Sequence, residues 1–291
     1  MAWTVLVGAD DRAPSADAVQ LGIELAGEAG SLHVAGALPY EAVPYGVAAY
    51  EQALNEHYER IFALVDAQAG NASYTPHRLM SSSPPRALAD LAEDVGAGIV
   101  VIGSTDRSRI GRILPGSVGD RLLAGAATPV AIAPHGYSND THSVEQIAVG
   151  FDGREESGVA LAFASFIARS MNLPLKLLAV LAPPAPALAQ IAPDLGYEET
   201  VRAELGAALE KGEAAVTASE TTSEILVGEP AAALAEASDR LDLLVVGSRS
   251  YGPLRRVLLG DVSAKLIREV KCPTVVVPRA WSEPIGVSPP D

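Results

Sequence analysis

Short continuous apolar runs alternate along this chain with stretches whose apolar residues recur at helical spacing. "TVLVGA" from Thr4, "SLHVAGAL" from Ser31, "IVVIG" from Ile99 and "PVAIAP" from Pro129 are bounded by Gly, Asp and Pro, as buried strands are. The first three are each followed by a helix-period segment. One of these carries Tyr50, Leu54, Tyr58, Ile61, Phe62 and Val65, a spacing that places Tyr50 and Tyr58 in the core and leaves Tyr40 and Tyr45 as candidates to cover a ligand. Strands without polar alternation, separated by amphipathic helices, predict βα units around a parallel sheet buried on both faces. Right-handed crossovers make a doubly wound sheet the simplest topology, with ligands at the carboxyl ends of its strands.

The pattern occurs twice. Ile99–Pro134 laid over Leu243–Pro278 without a gap gives about ten identities, among them Gly103 with Gly247, Arg112 with Arg256, Gly116 with Gly260 and Pro129 with Pro273. "TVLVGADDRAPSADAVQLGIELA" also matches "QIAVGFDGREESGVALAFASFIA", each an apolar strand, then Asp10 or Asp152, then an amphipathic helix. Two α/β domains related by internal duplication follow, over 1–138 and 144–280, joined through the polar turn-forming segment between Ser138 and Ser143. The Pro-rich end, 281–291, reads as an irregular tail.

A chain of 291 residues, 48% hydrophobic, buries a large core, and with 5% aromatics that core is aliphatic. The formal charge of -15 argues against nucleic acid and anionic membrane surfaces as partners. A single cysteine, Cys272, excludes an internal disulfide and suits the cytoplasm. The amino terminus reads as a strand of the fold, with neither a basic leader nor a long apolar run. Residues 1 to 138 contain no lysine, so any side-chain cation beside a ligand there is an arginine.

The segment "GSTDRSRIGRILPGS", residues 103–117, carries the chemistry. Glycines let backbone amides approach phosphate oxygens, and a hydroxyl at a helix start adds a neutral donor beside unpaired amides. With these motifs each copy resembles a universal stress protein domain, and the chain up to about Arg279 resembles a tandem universal stress protein. That resemblance implies a Rossmann-like, adenine nucleotide alpha hydrolase-like fold. It also implies a phosphate loop of Gly, two residues, Gly, nine residues, Gly and Ser or Thr. Here the loop is Gly103, Asp106, Gly116 and Ser117 with Val118 behind, so one glycine is replaced by an acid. In the second copy Ser250 and Asp261 both depart. The resemblance further implies an Asp after the first strand, matched by Asp10 and Asp152, and a Val ending the second strand against adenine, matched by Val34 and Val180. It implies final strands that pair at a domain or subunit interface, as an intramolecular pseudo-dimer or a homodimer.

Two readings stay open. In one, the first domain binds ATP or another adenine nucleotide, with Arg107, Arg109 and Arg112 offsetting Asp106, and the chain is a regulatory module of the stress response acting on a protein partner. In the other, both loops are nucleotide-free caps of an interaction scaffold, with Ser117 serving as an N-cap. Asp261 favours that outcome for the second copy, since a carboxylate caps a helix but repels phosphate. Asp10 and Asp11 are of the type that holds nucleotide-bound Mg²⁺ and equally of the type that solvates a strand end. His33 reads as a packed residue, the remaining histidines show no metal-ligand spacing, and Cys272 beside Lys271 reads as a small packing residue, with a lowered pKa as the alternative. No nucleophile elbow, Walker loop or Cys/His pair is present, so no enzyme is expected.

Overall fold

The computed structural model describes residues 3–39, 47–105, 113, 115–139, 143–187, 189, 196–216, 218, 220–248 and 261–282. The chain divides into two compact units, one through Ser143 and one from Val144.

In the first unit the order is β1 (Thr4–Ala9), α1 (Pro14–Ala26), β2 (Ser31–Pro39), α2 (Val47–Ala69), β3 (Thr75–Ser81), α3 (Pro84–Asp94), β4 (Ala97–Gly103), α4 (Ser117–Gly125) and β5 (Val130–Ala133). The strands form a parallel sheet in the order β3-β2-β1-β4-β5. Val5, Leu6 and Val7 of β1 and Ile99, Val100 and Val101 of β4 are fully buried. Removing each such side chain from water contributes about 1.5–3 kcal/mol, which is why these runs show no polar alternation. Tyr58, Ile61 and Val65 of α2 are buried as their spacing predicts, Tyr50 is only half-buried, and Tyr40 and Tyr45 lie outside the described residues.

Hydrophobic patterning does not single out β3. "TPHRLMS" is an edge strand, and its residues alternate between exposed and half-buried, so it carries no continuous apolar run.

The second unit repeats the plan: β6 (Ile147–Gly150), α5 (Glu155–Met171), β7 (Leu175–Leu181), α6 (Tyr197–Ala215), β8 (Thr221–Val227), α7 (Pro230–Ala237), β9 (Leu243–Gly247), α8 (Asp261–Glu269) and β10 (Thr274–Val277). Its parallel order is β8-β7-β6-β9-β10. At the start of the expected tail, Trp281 packs edge-on against Phe163 of α5 at 5.2 Å and its amide donates to the Pro278 carbonyl. Residues 283–291 lie outside the described set. No described helix is long and apolar enough to cross a membrane.

The segment after β5 is bolted to α1. Asp17, only 2% exposed, accepts hydrogen bonds at 2.8 Å from the amides of Gly136 and Ser138 and from the Ser138 hydroxyl. Tyr137 donates to Glu24 at 2.6 Å.

Candidate functional site

In the first unit, strand order reverses between β1 and β4, so the loops after these strands diverge and leave a crevice. A cleft of about 780 Å³ occupies this place. It is lined by Gly8 to Arg12 at and beyond the end of β1, Ala37 and Leu38 of β2, His57 of α2, Pro84 and Leu88 of α3, and Ile102 to Thr105 at and beyond the end of β4. Gly116 to Gly119 at the start of α4 complete it.

Five of the seven residues singled out from the sequence converge there: Asp10, Gly103, Gly116, Ser117 and Val118. Asp106 lies outside the described residues, as do Arg107, Arg109 and Arg112. Val34 is corrected by the strand register. It sits in the middle of β2, fully buried and away from the cleft, because β2 continues to Pro39. Gly8 pairs with Ala35 and its counterpart Gly150 pairs with Leu178, so the residue equivalent to Val180 is Ala37. Ala37 and Leu38 are the β2 residues that reach the cleft.

Gly103 is required by packing. A Cβ there would lie 2.0 Å from the Pro14 carbonyl oxygen, because α1 starts directly against the end of β4. Gly247 repeats the constraint, with 2.5 Å to the Glu156 carbonyl oxygen. Gly116, rather than Ser117, is the N-cap residue of α4, in extended backbone. Ser117 is the exposed first helical residue. The opening amides of a helix have no intrahelical acceptor, and here they belong to cleft-lining residues. The side-chain oxygen of Thr105, opposite Gly116, is buried and has no hydrogen-bond partner among the described residues.

Asp10 is held by a turn that the duplication preserves. Its Oδ1 accepts from the Arg12 amide at 3.0 Å and the Ser15 hydroxyl at 2.9 Å, and its own amide donates to Ser15 Oγ at 2.7 Å. The Arg12 guanidinium closes on Oδ2, with Nε at 2.7 Å. Asp152, Arg154 and Ser157 make the same turn in the second unit. Arg12 and Ser15 carry a signal visible in the sequence, the spacing Asp-x-Arg-x-x-Ser at both domain starts. Asp11 is met by His57 Nε2 at 3.5 Å and Arg60 Nε at 3.6 Å. Asp10 and Asp11 thus face cationic and donor groups, which compete with a nucleotide-bound Mg²⁺ for their carboxylate oxygens. Among the described residues no group of three or more His, Cys, Asp or Glu is placed to hold a metal ion.

Of its two sequence readings, Cys272 takes that of a packing residue. It is buried, and burial pushes its thiol up to about 12 rather than down. At pH 8 the thiolate fraction is then on the order of 10⁻⁴. A disulfide reagent at that pH is expected to leave the native protein unlabelled and to react at the rate at which the second unit unfolds; rapid native labelling would contradict the burial.

The sequence profile of the universal stress protein family matches residues 1–134 and 143–278. A universal stress protein of Mycobacterium tuberculosis is 28% identical over 224 residues, 74% of each chain. One from Mycolicibacterium smegmatis is 29% identical over 206 residues, 68% of this chain and 67% of that one. The crystal structure of a universal stress protein from Archaeoglobus fulgidus shares the fold at a TM-score of 0.67 and 19% identity, over 95% of this chain and 98% of that one. With matched residues covering both halves, and each half folded as a doubly wound parallel sheet, the chain belongs to the universal stress protein family as a tandem of two such domains.

Proposed function

We propose that the cleft of the first unit binds an adenine nucleotide, and that the chain acts through binding, as a regulatory protein of the stress response in the cytoplasm, rather than as an enzyme. The observation that carries this reading is the cleft at the strand-order reversal, lined on one side by the opening residues of α4 and on the other by Asp10 and Ala37. A volume near 780 Å³ suits a nucleotide, and helix-start amides suit its phosphates. The Thr105 hydroxyl, unpartnered among the described residues, is a further group that a ligand would satisfy. Aliphatic Leu38, Leu88 and Ile102 supply apolar surface for a base. Pairing of two whole chains belongs to the same proposal, and sedimentation equilibrium tests it.

Calorimetric titration with ATP, ADP, AMP and cyclic AMP tests the binding. Heat is expected from the wild type with at least one of the four. Gly116→Val should lower that affinity by about 30-fold or more, since even a Cβ there meets Thr105 Cγ2 at 2.9 Å and the remaining methyls project into the phosphate end. Binding unchanged by that substitution would remove α4 from the site. The scaffold reading is favoured by one observation, that the Asp10 carboxylate is already satisfied by Arg12 and Ser15. Silence from the wild type, with binding recovered in Asp106→Gly, would support it.

A further inference from the structure

The two units hold their edge strands with different chemistry at one and the same register position. Gly8 and Gly150 are counterparts in the duplication, and they pair with Ala35 and Leu178. Ala35 pairs in turn with His77, and Leu178 with Glu224. Two residues before Ala35 and Leu178 stand His33 and Lys176, so the cross-strand pair His33–His77 occupies the place of Lys176–Glu224. In the first unit the two imidazole rings lie 14° from parallel with centroids 5.1 Å apart and meet edge to edge, His33 Nδ1 lying 2.9 Å from His77 Nε2. In the second, Lys176 Nζ lies 2.7 Å from Glu224, which Arg240 also grips at 2.7 and 3.0 Å.

A hydrogen bond between two imidazoles needs an unprotonated nitrogen as acceptor, so protonation of both rings turns attraction into repulsion between adjoining like charges. A Lys–Glu–Arg cluster keeps its complementarity until the carboxylate itself is protonated. We infer that the His33–His77 pair is an acid-sensitive clasp, which releases the β3 edge of the first unit at a mildly acidic pH where the edge of the second unit remains closed.

Among the described residues no charged group is turned onto the pair. Both histidines project to the face of the sheet that α3 covers, the face on which a Cβ at Gly8 would meet Leu88. The charged residues of α3, Arg86, Asp90, Glu93 and Asp94, are all exposed, whereas Pro85, Leu88 and Ala92 are its buried side. On β1, Leu6 is the register partner of His33, and on β3, Thr75 is. Arg78 of β3 turns to the opposite face, against Tyr58 and Glu59 of α2, and the other charges of α2 lie on that side as well. Asp120 and Arg121 of α4 are exposed.

Burial first, and His33 second, hold His77 below the ordinary imidazole range. A group whose folded pKa is depressed gives stability that is complete above its unfolded value, about 6.5 for imidazole, and is lost as pH falls below it. Glu224 is held at about 2 by Arg240 and Lys176, so its contribution, complete above about 4.5, fades only between there and about 2. Between about pH 6.5 and 4.5 only the first unit loses its clasp. The strand it releases leads into α3, which lines the cleft through Pro84 and Leu88. The clasp itself involves no ligand, so its test is independent of nucleotide binding.

Hydrogen exchange followed by mass spectrometry on the full chain, corrected for the intrinsic pH dependence of exchange, reads the two edges together. From pH 7.5 to 5.5 the amides of β3 are expected to exchange faster by on the order of tenfold, and those of β8 to remain unchanged. Transplanting the other pair, His33→Lys with His77→Glu, should abolish the response of β3, as should His77→Gln, which keeps a polar side chain that does not titrate. Equal acceleration of β3 and β8, or an acid response that persists in either variant, would overturn the inference. Where a variant fails to fold, the imidazole resonances of the wild type decide: a midpoint coinciding with β3 opening supports the clasp, and a separate midpoint refutes it.

Discussion

Gly103→Ala is expected to destabilise the first unit by about 3 kcal/mol, the upper end of what overpacking costs when the obstructing atom cannot swing aside. The obstruction here is backbone, the Pro14 carbonyl oxygen at 2.0 Å from the added Cβ, with Pro14 Cβ itself at 2.9 Å. Relief requires α1 to move off the end of β4, and α1 is pinned by its buried residues Val19, Leu21 and Leu25. Urea unfolding checks this, because the chain has two tryptophans and each unit contains one: Trp3, 7% exposed with its indole N–H on the Leu25 carbonyl, and Trp281 against Phe163. The Trp3 transition should shift while the Trp281 transition stays in place, and Gly247→Ala should do the reverse. Gly125→Ala, where an added Cβ meets nothing within 4 Å, serves as the control and should be neutral or stabilising by up to about 1 kcal/mol. A Gly103→Ala protein as stable as the wild type would show that the junction of β4 and α1 yields, and that this glycine is kept for another reason.

The second large effect falls on Asp17. Asp17→Ala should cost about 3 kcal/mol, because two backbone amides and a hydroxyl lose a charged acceptor while remaining turned inward. Asp17→Asn should cost less, since one oxygen still accepts, yet its amide nitrogen only donates and so meets the remaining donor without a bond. The Trp3 transition again reports the loss. Exchange at the amides of Gly136 and Ser138 should rise in both variants before global unfolding. Protection that survives Asp17→Ala would mean that another acceptor takes over.

Both residues show how differently the sequence displays its reasons. Gly103 stands out as part of a glycine pattern, and the pattern suggests close approach of a phosphate; the fold shows close approach of the chain to itself. These are compatible, since the end of β4 and the start of α1 bound the same cleft. Asp17 sits amid helical residues with no motif to mark it, because its partners lie 119 and 121 positions away. Val34 and Val180 look alike in sequence, yet only strand pairing reveals that Ala37 is the true counterpart of Val180.

Read alone, the amino-acid sequence determined the two-fold duplication, the α/β class, the aliphatic parallel strands and five residues that meet at one cleft. Each of these is written in local periodicity or in repeated spacing, and burial on both faces of a strand leaves its mark on every residue of it. The edge strand β3, the exact reach of β2, the Asp17 anchor, the buried state of Cys272 and the histidine clasp were decided by tertiary structure. They depend on which segments become neighbours, and a side chain's environment, hence its charge and its hydrogen bonds, is set by neighbours the chain supplies from far along its length.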